Sequence, residues 1–114
     1  MKNITTEIKE NGIIILTLKG SFVGGDETDE LRDTIKNLID TGNTKLIIDL
    51  GGVLYLNSTA LGVLISAHAN YTKRGGVIKL CQLNKNLENL FVITKLSLVF
   101  DAYHTLEEAL ASFK

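Results

Sequence analysis

The sequence predicts an α/β fold with a mostly parallel sheet of about five strands, an antiparallel amino-terminal strand and about four helices. Three observations carry that expectation. Short β-branched or apolar runs alternate with longer segments whose apolar residues recur at helical spacing. One tight-turn signal, Asn11-Gly12, separates the first two runs, as in a hairpin of antiparallel strands. Each later strand candidate is separated from the next by a helix candidate, the crossover that parallel pairing requires.

Taken in order, Ile4 to Lys9 alternates weakly and reads as the first strand. Asn11 and Gly12 both tolerate positive φ, so they turn the chain into Ile13 to Leu18, a β-branched run suited to burial. Gly20 is expected to end that strand. Gly24-Gly25, expected to form a loose loop, lead into Asp26-Glu27, acids that favour a helix's first turn. Leu31, Ile35, Leu38 and Ile39 continue at helical spacing to Gly42, a carboxy-terminal cap. KLIIDL, residues 45–50, reads as a central parallel strand. A helix is expected from Ser58 to about Arg74, stopped by Gly75-Gly76. Val77 to Cys81 is a short strand. Asn84 caps a helix with Leu87, Leu90 and Phe91 on one face. Val99 to Tyr103 is the last strand. Thr105-Leu106-Glu107-Glu108 has the form of a capping box, and Leu106, Ala109, Leu110 and Phe113 stripe the final helix.

The 114 residues fit one domain with one core, spanning 1–114. Hydrophobic residues make up 45% and charged residues 22%, with a formal net charge of -1. That balance favours a packed globule and argues against direct nucleic-acid binding. The lone Cys81 has no partner for an internal disulfide, which fits a reducing compartment. MKNITTEIKENG is too polar for a signal peptide, and no apolar run approaches a membrane span. The expectation is a cytoplasmic protein without membrane insertion.

No catalytic set emerges, so neither enzyme activity nor a cofactor is expected. The segment from Gly52 to Thr59 is superficially like a phosphate-binding loop, but Asn57 stands where the lysine would be. His68, His104 and Cys81 lack metal-ligand spacing. Asp49 has no acidic pair to share a metal and is assigned to organising its loop.

Attention falls instead on YLNSTALG, residues 55–62, where Asn57-Ser58-Thr59 interrupts two apolar runs. Asn57 is a good N-cap, with Ser58 and Thr59 in the first turn. Leu61, Leu64, Ile65 and His68 form one stripe, and Ala60, Val63, Ala67 and Tyr71 an adjacent one. Together they make a broad arc expected to pack on the sheet. Gly62, Ser66, Ala69, Asn70 and Lys73 fall on the remaining face, which is mostly small and so open to close approach by a partner. A phosphate on Ser58 would sit at a helix amino terminus that tolerates an anion. It would place about -1.5 to -2 charge beside that face.

KLIIDLGGVLYLNSTALGVLISA resembles the signature of the STAS domain as found in anti-sigma factor antagonists. That signature is an apolar strand, then D-L-S-x-V-x-x-(M/I)-D-S-(S/T/A)-G-L-G, then an apolar helix. The resemblance extends over nearly the whole chain, to the closing FDAYHTLEEAL. It implies a STAS fold in which Ser58 is the phosphoacceptor and Asn57, Ser58, Thr59, Gly62, Ser66, Ala69 and Lys73 meet a partner. It also implies partner switching. The unphosphorylated protein binds an anti-sigma factor that is also a serine kinase and frees the sigma factor. Phosphorylation releases it, and a PP2C-type phosphatase resets it. Several positions depart from the pattern. Asn57 replaces Asp, Ala60 replaces Gly, Val23 replaces an early Asp, and Gly51-Gly52 replace Ser-x, which is expected to loosen the approach loop. The departures at Asn57 and Val23 favour an alternative on the same fold, a constitutive docking subunit of a lipid-transport ABC complex or a signalling scaffold.

Overall fold

A computed structural model of the chain describes residues 3–113; the ends of the expected domain, residues 1, 2 and 114, lie outside the described residues. Five strands form one sheet in the order β1-β2-β3-β4-β5. They are β1 (Ile4–Ile8), β2 (Ile13–Phe22), β3 (Lys45–Leu56), β4 (Val77–Cys81) and β5 (Asp101–Tyr103). β1 runs antiparallel to β2 and the other pairs are parallel. The helices are α1 (Asp26–Asp40), α2 (Ser58–Lys73), α3 (Lys85–Ile93) and α4 (Leu106–Ala111). The hairpin forms as expected, with Asn11 at φ 64° and Gly12 at φ 78°.

Alternation along each strand builds two unequal cores. Leu16 and Leu18 of β2, Leu46, Ile48 and Leu50 of β3, and Ile78 and Leu80 of β4 face one way. They meet Leu31 and Ile35 of α1, Leu61 and Leu64 of α2, and Leu87 and Phe91 of α3. Ile13, Ile15, Ile47 and Cys81 face the other way, where Ala109 of α4 covers them. Burial, and secondarily the charges of Asp49 and Glu107, pushes the Cys81 thiol up to about 12, so it is a core residue rather than a nucleophile. Lys79 is buried on this face. Its Nζ donates to Ser112 Oγ at 2.7 Å and lies 4.4 Å from the Phe113 ring, which holds the end of α4 to the sheet.

Three boundaries differ from expectation. Gly20 does not end β2. It lies at φ 88° beside a register shift, so the strand bulges and continues to Phe22. Gly51-Gly52 are not a loop but part of β3, which pairs with β2 out to Leu56. Gly52 fits a close approach there, since a Cβ would lie 3.2 Å from the Leu18 carbonyl oxygen and 3.0 Å from Lys19 Cγ. The last strand is shorter than Val99 to Tyr103. A 3-10 turn at Leu96–Leu98 carries the chain past Val99, and Phe100 is buried in the main core instead of pairing.

Candidate functional site

The upper half of β3 is a platform. From Lys45 to Asp49 the strand pairs with both β2 and β4, but beyond that only with β2. The β4 side diverges because Gln82 takes φ 62°. Gln82 Nε2 donates to both Asp49 carboxylate oxygens at 2.9 Å, and the Gly51 N–H donates to Asp49 Oδ1 at 2.9 Å. Asp49 therefore organises the point where β3 parts from β4. Leu54 and Tyr55 are left exposed at the sheet's carboxyl edge, near the start of α2.

Asn57 joins that platform to α2. Its N–H donates to the Phe22 carbonyl at 3.0 Å, and its Oδ1 accepts from the Ala60 N–H at 3.0 Å. The Asn57 carbonyl takes the Leu61 N–H. The cap expected at Asn57 is thus made. The N–H groups of Ser58 and Thr59 take no partner among the described residues, and neither does the Ser58 hydroxyl. Ser58 is exposed. The first turn of α2 contains no acidic residue.

The β2–α1 loop lies alongside. A Cβ on Gly24 would sit 3.5 Å from Asn57 Nδ2 and 3.6 Å from Thr59. The loop is held, contrary to the looseness expected of two glycines. Glu27 Oε2 accepts from the Val23 N–H at 2.9 Å, the Gly25 N–H at 3.0 Å and the Thr28 hydroxyl at 2.7 Å. The Thr28 hydroxyl first, then those backbone N–H groups, hold the Glu27 carboxyl down to about 2. Gly24 N–H donates to Thr28 Oγ1 at 2.9 Å, and Thr28 is fully buried.

Every residue singled out on the outer face of α2 is exposed, namely Ser58, Thr59, Gly62, Ser66, Ala69, Asn70 and Lys73; Asn57 is half-buried. The structure divides them. Thr59, Gly62, Ser66 and Asn70 line a groove between α1 and α2, whereas Ser58, Ala69 and Lys73 do not. The apolar arc also needs one correction. Ile65 is 43% exposed, because it lies about 130° around the helix from the centre of the buried arc at 100° per residue. His68 is half-buried against Phe100, ring centroids 5.1 Å apart. Arg32, Lys36 and Arg74, which also line the groove, escaped the sequence reading. Nothing local marks them, since the groove needs two helices from different parts of the chain.

The chain is similar to known proteins over most of its length. The STAS domain model matches residues 3–109. An anti-sigma-B factor antagonist of Bacillus subtilis is 32% identical over 99 residues, covering 87% of this chain and 90% of that protein. A Thermotoga maritima crystal structure superposes with a TM-score of 0.88 at 20% identity, over 96% of this chain and 92% of that one. The Bacillus cell fate determinant SpoIIAA in its phosphorylated form gives a TM-score of 0.79 at 17% identity, over 97% and 99%. These two structural likenesses carry the fold alone. No helix among the described residues is long and apolar enough to cross a membrane.

Proposed function

The chain belongs to the STAS domain family of anti-sigma factor antagonists, and from that premise we propose that it works by partner switching at Ser58. The unphosphorylated protein binds an anti-sigma factor that is also a serine kinase, which frees the sigma factor. Phosphate on Ser58 ends the contact, and a PP2C-type phosphatase restores it.

One observation carries the reading. Ser58 carries an exposed hydroxyl on the first residue of α2, with no acid in that turn, and among the described residues neither it nor the two backbone N–H groups beside it has a partner. A phosphoryl group added there meets donors and the positive end of the helix, so the fold accepts it. A docked partner does not. Desolvating a dianion in a contact built for a neutral hydroxyl costs several kcal/mol, and about 1.4 kcal/mol is already tenfold in affinity. The switch is therefore local and needs no rearrangement of the sheet. Asn57 serves this purpose as well as aspartate would, since it caps α2 without adding a negative charge next to the phosphate.

The test is a cycling assay with the anti-sigma factor kinase and ATP. The wild-type protein should bind, acquire one phosphate and dissociate, with affinity falling at least 100-fold. Ser58→Ala should bind and stay bound. Release of Ser58→Ala by ATP would sink the proposal. Binding that ATP never reverses, even in the wild type, is what a constitutive docking subunit would give.

A further inference from the structure

We propose that the groove between α1 and α2 seats one acidic amphipathic helix of a protein partner. This deepens the partner-switching reading and rests on it for the existence of a protein partner, naming the chemistry of a segment that partner must carry.

The groove encloses about 500 Å³ and runs from Thr59 to Arg74, so it follows nearly the full length of α2. At 1.5 Å per residue that is roughly 22 Å, the reach of a helix of about four turns. Its floor comes from Ile35 and Ile39 on one side and Val63 and Ala67 on the other, core side chains each only 3–7% exposed, so the apolar strip at its bottom is narrow. Both pairs are spaced one helical turn apart, which suits anchors at the same spacing on an occupant. Its α2 wall is low. Gly62 and Ser66 carry little side chain, and a Cβ on Gly62 would meet nothing within 4 Å. A partner backbone has room to approach closely there.

The charge selects the occupant. The chain as a whole is weakly acidic at -1. Helix α1 carries six acidic residues and two basic ones, Arg32 and Lys36. Both basic residues line the groove, and Asp40 alone of the acids does. Arg74 adds a third cation from the end of α2. Arg32 is partly neutralised by Asp29 at 2.8 Å. Lys36 and Arg74 are exposed and make no salt bridge among the described residues. A positive groove on a negative protein complements an acidic segment. The cations come from both walls and flank an apolar base, a pattern that suits a long amphipathic ligand better than a compact anion.

Two designed 16-residue helical peptides test this, sharing one alanine–leucine face and flanked by glutamates in one and lysines in the other. Each is titrated into the isotopically labelled protein while backbone amide shifts are followed. The glutamate peptide should bind saturably and shift amides along α1 and α2. Its affinity should fall at least tenfold in the Lys36→Glu/Arg74→Glu double variant, which should gain affinity for the lysine peptide. Gly62→Trp, which fills open space and should keep a dispersed spectrum, should abolish binding. Equal binding of both peptides, or shifts outside the groove, would overturn the proposal. So would reproduction of the groove shifts by inorganic phosphate or by phosphatidylglycerol vesicles with no peptide bound. Failure of the peptide to bind thus defeats the groove and leaves the switch standing, whereas a Ser58 that is never phosphorylated defeats the switch alone.

Discussion

The first turns of α1 and α2 lie side by side, with Gly24 against Asn57 and Thr59, yet their free amides are treated differently. In α1 no N-cap side chain bonds the helix, but three acids crowd the first turn and Glu27 gathers the loop's N–H groups onto one carboxylate. In α2 a neutral Asn57 caps a single amide, and the next positions offer a hydroxyl and two open donors. One anion site is filled from within the chain and the other is left to a reversible charge. The same helix-end physics therefore gives a fixed loop in one place and a candidate switch in the other.

That contrast breaks most easily at Gly24, whose φ of 88° brings the loop against Asn57 and Thr59. Gly24→Ala should cost about 1–2 kcal/mol, because a Cβ is strained in that left-handed conformation. Denaturant midpoints would show it, and a midpoint shift no larger than that of an exposed surface substitution would contradict the packing described. Next comes the cap. Asn57→Ala should lose roughly 1 kcal/mol, while Asn57→Asp should keep the unphosphorylated protein's stability within a few tenths. Thermal unfolding of both variants separates capping from charge.

The smallest effect concerns Glu27, and its sign follows from the direction of the shift. A carboxyl lowered from 4.5 to about 2 favours the folded loop above about pH 4.5, and that contribution fades as pH falls toward 2. Amide exchange at Val23 and Gly25, corrected for its intrinsic pH dependence, should therefore lose protection across that window. Glu27→Gln, which has no charge to lose, should lack this transition. Unchanged protection of the wild type down to pH 2 would show that the carboxylate does not hold the loop.

Much of this was legible in the chain because it is local. The Asn57 and Asn84 caps, the Thr105 capping box and the bounds of β4 follow from short patterns, and each forms as read. The misreadings share one cause. Gly20 and Gly51-Gly52 look like breaks because glycine usually ends strands, yet here Gly20 sits at a bulge inside β2 and Gly52 lets β3 pass close to Leu18 and Lys19. Only a non-local pairing decides between those meanings. Val99 looked like strand because β-branched, but the buried seat of Phe100 at the end of a 3-10 turn outweighed propensity. The site divides the same way. Ser58 could be singled out from its own neighbours, whereas Lys36 and Arg74 enter one groove, which Ser58 does not line, only after α1 and α2 come to lie together.

The most direct test of the central claim is to isolate the protein from its native cells with phosphatases inhibited, then read its intact mass and peptide map. The account predicts a fraction carrying one phosphate, mapped to Ser58, that changes with growth condition. A protein that carries no phosphate on Ser58 under any condition would contradict it and leave Ser58 as the first residue of a capped helix on a constitutive docking surface.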